Sequence, residues 1–195
     1  MSQPTLRDDA MARFPVPEFE DLPEDLQERI ASEAARAGFV PNVFAALAAR
    51  PPQFRAFFGY YDALVDGTTL ARAEVEMLVV AVAGVNGCHY CGVAHGALLR
   101  VYGSDPTMAE QLLTNPGAAD VTEAQAEMLA VAVELTDRPD RVTGDVVGRL
   151  RDAGYTLAEA WDVVSTTAFF NLSNRLAAAA EMQPNDEFYT MGRDG

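Results

Sequence analysis

Apolar residues recur along this chain at helical spacing, in stretches separated by glycine and proline, and nowhere do they alternate over a β-branched run. Pro23 can open a first helix that ends near Gly38. Pro41 and Pro52 sit where first-turn prolines belong and open segments running to about Arg50 and Asp66, the latter closed by Gly67. Leu70 to about Val85 is apolar on almost every side, which puts it in the centre of the fold or at a subunit interface. Gly84-Val85-Asn86-Gly87 reads as the following turn, and a second helix runs from Cys88 to Tyr102, stopping at Gly103. Further helices are expected over about Thr107–Thr114, Glu123–Thr136, Thr143–Ala153 and Leu157–Met182, the last broken near Asn171 to Asn174. The pattern predicts an all-α protein. Residues 1–22 hold three prolines and mixed charge without periodicity, and read as an N-terminal arm that packs on a partner or hangs loose. Residues 23–195 then form a single helical domain.

The chain repeats itself. Ala73-Glu74-Val75-Glu76-Met77-Leu78-Val79-Val80-Ala81-Val82 matches Ala124-Gln125-Ala126-Glu127-Met128-Leu129-Ala130-Val131-Ala132-Val133 at an offset of 51. The same offset carries Leu99-Arg100 and Gly103 onto Leu150-Arg151 and Gly154. Two copies of a helical hairpin therefore make the core. Only the first copy has chemistry, because Cys88, Cys91 and His95 fall on Pro139, Val142 and Val146 in the second.

Charge narrows the partners. A formal net charge of −15, from 29 acidic against 14 basic residues and with no basic stripe, disfavours nucleic acid and anionic membrane surfaces. Met1 to Ala10 has no apolar core segment, and the run Met77 to Val85 is far short of a membrane span, so a cytoplasmic protein is expected. The two cysteines lie three positions apart and cannot staple a distant loop, which points to redox chemistry or metal binding.

Cys88, Cys91 and His95 fall on one helix face, and cysteines three apart on a helix can close a disulfide. A helix start at Cys88 supplies unpaired N–H groups and a positive dipole end, which favour a thiolate. If the two helices flanking the Gly84–Gly87 turn run antiparallel, Glu76 and His95 come level, because their midpoint in the numbering, 85.5, lies inside the turn. A carboxylate and an imidazole then meet near the thiols and can pass a proton between an attacking thiol and a leaving oxygen. Glu127, in the equivalent place of the repeat, keeps a structural role for Glu76 open, such as a buried hydrogen-bond anchor. A zinc site is the rival for the cysteines, although Cys88, Cys91 and His95 give three ligands and a fourth must come from His89 or a carboxylate. His89 points away from the shared face. Asn171, Asn174 and Arg175 form a polar cluster on an otherwise apolar helix, readable as an active-site wall or as hydrogen-bonded helix or subunit packing.

The spacing Glu76-x11-Cys88-x2-Cys91-x3-His95 resembles the alkyl hydroperoxidase D and carboxymuconolactone decarboxylase superfamily, in its peroxidase-related branch. The likeness runs from about Phe14 to Arg193. It includes Gly38-Phe39-Val40-Pro41-Asn42-Val43-Phe44, Phe169-Phe170-Asn171-Leu172-Ser173-Asn174-Arg175-Leu176 and Pro184-Asn185-Asp186-Glu187-Phe188-Tyr189. The resemblance implies an all-α fold assembled into trimers or hexamers, and a cofactor-free disulfide cycle that reduces a small-molecule peroxide and is recharged by an external dithiol. It implies that Cys91 is the peroxidatic cysteine, Cys88 the resolving one, and Glu76 and His95 the proton relay. One departure is Tyr90, which stands where characterised members carry a histidine; a phenol can donate a hydrogen bond but is no base near neutral pH. The superfamily's lactone decarboxylases lack the cysteine pair, which points away from that activity. Two other readings stay open: a disulfide reductase using the same cysteines, and a zinc-stabilised helical interaction module without catalysis.

Overall fold

The computed structural model describes residues 4–103, 105–142 and 145–193. Ten α-helices follow one another among them: α1 (Glu24–Ala37), α2 (Asn42–Ala48), α3 (Pro51–Gly67), α4 (Arg72–Asn86), α5 (His89–Gly103), α6 (Met108–Thr114), α7 (Glu123–Asp137), α8 (Val146–Asp152), α9 (Leu157–Ala180) and α10 (Glu187–Thr190). No strand forms among the described residues, where the only extended pairing is an isolated bridge between Met11 and Met182. No helix among them is long and apolar enough to cross a membrane.

Helix α4 is the axle. Every residue from Val75 to Ala83 is buried, and α5, α6, α7 and α9 all pack around it. A helix without a polar face has no stable place except the interior, which is why the apolar run of the sequence becomes the centre. The repeat is real in three dimensions: α7 has both its ends displaced from those of α4 by the 51-residue offset. The second copy of α5 survives only as a 3-10 turn at Pro139–Arg141 followed by the short α8. The expected start of that helix, Thr143, lies outside the described residues, and Asp145 caps α8 by accepting from the Gly148 N–H at 2.7 Å.

Two glycines set the α4–α5 hairpin. Gly87 adopts φ 62°, the left-handed region that costs an L-residue about 1–2 kcal/mol. The Cys88 N–H then closes back on the Ala83 carbonyl at 2.9 Å, so the reversal takes a single non-helical step. Gly84 belongs to the last turn of α4 rather than to a loop, a difference from the expected four-residue turn. A Cβ on Gly84 would lie 2.9 Å from the Leu113 carbonyl oxygen, so its glycine admits the backbone of α6.

Two other expectations are corrected. Helix α9 is unbroken through Asn171 and Asn174, because those side chains find tertiary partners instead of competing for the helix backbone. The N-terminal arm does not hang loose but packs on its own chain. Leu6, Ala10, Phe19 and Leu22 join a core with Leu26, Ile30 and Phe54, and the Arg13 and Ala12 N–H groups donate to the carbonyls of Ala180 and Glu181.

Leu78 and its counterpart Leu129 are both fully buried on the shared axis of the two copies. Replacing either with alanine removes apolar contacts and leaves a cavity, so each variant is expected to lose about 2–5 kcal/mol in urea unfolding.

Candidate functional site

The α4–α5 hairpin brings the sequence's polar and sulfur-bearing residues together. Glu76, on the axle, is 1% exposed, and its carboxylate accepts from His95 Nδ1 at 2.7 Å and from Arg72 Nη2 at 2.7 Å. The antiparallel register thus forms the contact it predicted. A carboxylate buried this deeply is tolerable only when paired and hydrogen-bonded, and Glu76 has a partner on each oxygen. Glu127, by contrast, is a third exposed and pairs with Arg149 at 2.6 Å, so the same repeat position serves the surface in one copy and the interior in the other.

Because a carboxylate can only accept, it fixes the hydrogen of His95 on Nδ1 and leaves Nε2 with its lone pair. Phe170 packs edge-on against the imidazole at 4.9 Å between centroids and holds the ring plane. Arg72 is steadied in turn by donating to the Tyr61 hydroxyl at 3.2 Å and by lying 5.2 Å over the Tyr102 ring. Arg72 and Tyr61 escaped the motif reading, whereas Phe170 entered it only within the Phe169–Leu176 motif. Arg72 had a signal, since it stands one turn before Glu76 on the same helix.

Both cysteines are free and buried, but their settings differ. Cys91 and His95 share the wall of a cavity of about 320 Å³ lined mainly by aromatic rings, including Phe57, Phe58, Phe169 and Phe170. Arg29, Glu33 and Arg36 of α1 supply its charged rim. Cys88 is not part of this lining and clusters with Ala83, Ala177 and Met182. Its thiol is lowered from 9.0 to about 7, first by a hydrogen bond from the Cys91 thiol and then by the backbone N–H groups of Cys91 and Tyr90 in the first turn of α5. Cys91 is pushed well up by that hydrogen bond to Cys88 and by burial, with Asn174 and Ser173 acting in the opposite direction. In the reduced pair a first negative charge is therefore favoured on Cys88 over Cys91.

The remaining candidates fall on different sides of the site. Tyr90 lines the cavity and its hydroxyl accepts from the Val43 N–H at 3.1 Å; burial raises its pKa, so it stays a phenol. His89 points outward and meets the Tyr189 hydroxyl at 2.9 Å. Asn171 and Asn174 join Asn86 in a part-buried amide chain near Cys91, while Arg175 is exposed and donates to Asn171. The two outer motifs, Gly38–Phe44 and Pro184–Tyr189, are locked together by Asn42 and Asn185. The Asn42 N–H donates to Asn185 Oδ1 at 2.8 Å, and Asn185 Nδ2 donates to the Val40 carbonyl at 2.9 Å. That clamp holds Val43, Phe44 and Phe188 in the cavity wall. Among the described residues, no group of three or more His, Cys, Asp or Glu side chains is arranged to hold a metal ion, and His95 Nδ1 is already committed to Glu76.

Residues 51–134 match the carboxymuconolactone decarboxylase family. A crystal structure described as an alkylhydroperoxidase AhpD core, an uncharacterized peroxidase-related protein from Ralstonia eutropha JMP134, is 47% identical with a TM-score of 0.90. The match covers 94% of this chain and 97% of that one. An uncharacterized peroxidase-related protein from Silicibacter sp. TM1040 is 32% identical with a TM-score of 0.88, over 99% and 100% of the two chains. The apo debrominase Bmp8 shares the fold at 17% identity and a TM-score of 0.72, over 87% and 91%. Among curated proteins, none matches the chain. With its all-helical architecture and near full-length likeness to AhpD-core proteins, the chain belongs to the alkylhydroperoxidase D-like, carboxymuconolactone decarboxylase family.

Proposed function

We propose that the chain is a thiol peroxidase that reduces a small organic hydroperoxide at Cys91 and is recharged by an external dithiol through a Cys88–Cys91 disulfide. The observation that carries this reading is the division of labour at the cavity. One cysteine lies on its wall beside an imidazole anchored to a buried carboxylate, and the second stands one turn earlier, outside the cavity lining and within hydrogen-bond reach of the first. The aromatic lining and a volume well above that of hydrogen peroxide support an apolar organic substrate.

In this cycle His95 Nε2 accepts the Cys91 thiol proton. The Cys91 sulfur attacks the terminal peroxide oxygen, forming an S–O bond as the O–O bond breaks. The alkoxide that leaves takes the proton from His95 and departs as the alcohol. Sulfur has then lost two electrons to the peroxide and stands as a sulfenic acid. The Cys88 thiolate attacks the Cys91 sulfur, the disulfide forms, and hydroxide leaves to become water. A dithiol restores both thiols by exchange. Glu76 keeps His95 in the working tautomer throughout, and Arg72 keeps Glu76 in place. Reduction of a protein or small-molecule disulfide is the second reading, since it requires the same cysteines.

We also propose that the protein works as a homo-oligomer, a trimer or hexamer. Leu157, Trp161, Leu172 and Leu176 lie along one side of α9 and are 46–71% exposed, an apolar strip that a second copy can cover. Sedimentation velocity is expected to show an assembly that Leu172→Glu with Leu176→Glu reduces to smaller species; an unchanged monomer in both would remove the proposal.

Steady-state assays with an organic hydroperoxide and a dithiol test the cycle. Cys91→Ser is expected to abolish turnover, Cys88→Ser to stop after one equivalent of peroxide, and His95→Ala to lower kcat/KM by about 10²–10⁴-fold. Faster reduction of a small disulfide than of the peroxide would shift the assignment to the second reading.

The Cys88 thiolate sets the pH dependence. With its folded pKa near 7, below the ordinary 9.0, the thiolate forms as pH rises through 7 and is lost below it. Thiolate absorbance should rise with a midpoint near pH 7, and disulfide formation should quicken over the same interval. Cys91→Ala removes the hydrogen bond that lowers this pKa, and the midpoint should then move up toward 9.0.

A further inference from the structure

Three asparagines beside the cysteines form a directed chain of amides. Arg175 Nη1 donates to the Asn171 carbonyl at 2.8 Å and to its Oδ1 at 2.7 Å, which makes Oδ1 an acceptor. Asn171 Nδ2 accordingly donates, to Thr136 Oγ1 at 2.9 Å and to the Thr167 carbonyl at 3.0 Å. Asn86, the last residue of α4, donates its Nδ2 to Asn171 Oδ1 at 3.1 Å and to Asn174 Oδ1 at 3.0 Å. The amide orientation of Asn174 follows from this order, with its oxygen tied to Asn86 and its NH2 group left over.

That NH2 group is anomalous. Asn174 is 1% exposed, and its Nδ2 has no hydrogen-bond partner among the described residues. Leaving a buried donor unmet costs about 1–3 kcal/mol, and such orphans are rare in folded proteins. Its neighbour is Cys91, whose charged form it favours and whose Sγ lies 3.9 Å from Oγ of the adjoining Ser173. A thiol sulfur is a weak acceptor, whereas a thiolate or sulfenate is a strong one, so the donor gains a full partner only when Cys91 reacts.

We propose that Asn174 is a catalytic residue: its side-chain N–H donates to Cys91 Sγ when that sulfur loses its proton, and to the sulfenate oxygen if the acid formed there ionises. Asn86 is the positioning residue that aims it. The interaction is nearly idle in the resting thiol and strong in the charged forms, which is the condition for lowering a barrier rather than merely binding. The proton leaves Cys91 for His95 Nε2 and no redox change accompanies this step; the peroxide stage that follows rests on the thiol peroxidase reading. Asn174 thereby offsets the cost of placing charge on the more deeply protonated cysteine. It also explains why the polar cluster interrupts an apolar helix face.

The test uses the full chain carrying Cys88→Ser, so that Cys91 is the only thiol. Asn174→Ala in this background is expected to slow iodoacetamide alkylation of Cys91 at fixed pH by about tenfold or more and to raise the midpoint of its thiolate absorbance. Sulfenic acid formation with an organic hydroperoxide should slow by at least the same factor. Asn174→Asp keeps the shape and still accepts from Asn86 but cannot donate, and should behave alike if the alanine variant does not fold. In the Cys88→Ser protein itself, the Asn174 side-chain NH2 resonances should shift as Cys91 ionises. Unchanged alkylation, thiolate midpoint and amide shifts overturn the proposal. If Cys91 alkylates with the predicted dependence on Asn174 yet ignores peroxide, the donor stands and the peroxidase reading fails.

Discussion

A carboxylate in the centre of an apolar helix is the constraint around which this protein is arranged. Helix α4 is buried on all sides at the centre of the core, and it carries Glu76 inside with it. A buried, unpaired carboxylate is untenable, so the helices around it must deliver cationic or donor groups. Arg72 comes from the same helix, one turn earlier, and His95 comes across the hairpin. The second demand fixes the register of α5, and with it the positions of Cys91 and the cavity wall. Structural and chemical roles for Glu76 are thus not alternatives: the pairing that makes the fold tolerable also orients the imidazole.

The same hairpin separates the two cysteines into unequal partners. Cys88 lies at the step into α5, where first-turn N–H groups and the Cys91 thiol favour its charge. Cys91, one turn on, faces the cavity and is held protonated. In the proposed cycle charge is favoured on Cys88, the resolving cysteine, and Cys91 is activated at the moment of reaction, by His95 on one side and the Asn174 amide on the other. Such an arrangement keeps the substrate-facing sulfur guarded until a proton acceptor and a donor act on it together.

Much of this was legible in the sequence because it depends on period and spacing. The 51-residue repeat reappears in the bounds of α4 and α7, and the level position of Glu76 and His95 follows from counting outward from a turn. What escaped depends on contacts between distant segments. Asn171 and Asn174 look like helix breakers along the chain, yet Thr136 and Asn86 satisfy them from neighbouring helices and α9 continues. The arm shows no periodicity because Leu6, Ala10, Phe19 and Leu22 pack through irregular backbone. Glu76 and Glu127 are indistinguishable in the repeat, and only the surroundings, His95 against Val146 at the equivalent position, separate an interior relay from a surface ion pair.

Sulfur chemistry at the cavity wall is the centre of the account, and intact mass spectrometry reads it directly. Reduced protein treated with one equivalent of an organic hydroperoxide, then alkylated, should lose both free thiols in the wild type, while Cys88→Ser should carry one added oxygen mapped to Cys91. Two thiols that remain fully alkylatable after peroxide, or an oxygen mapped to Cys88 in Cys91→Ser at the same rate, would contradict it.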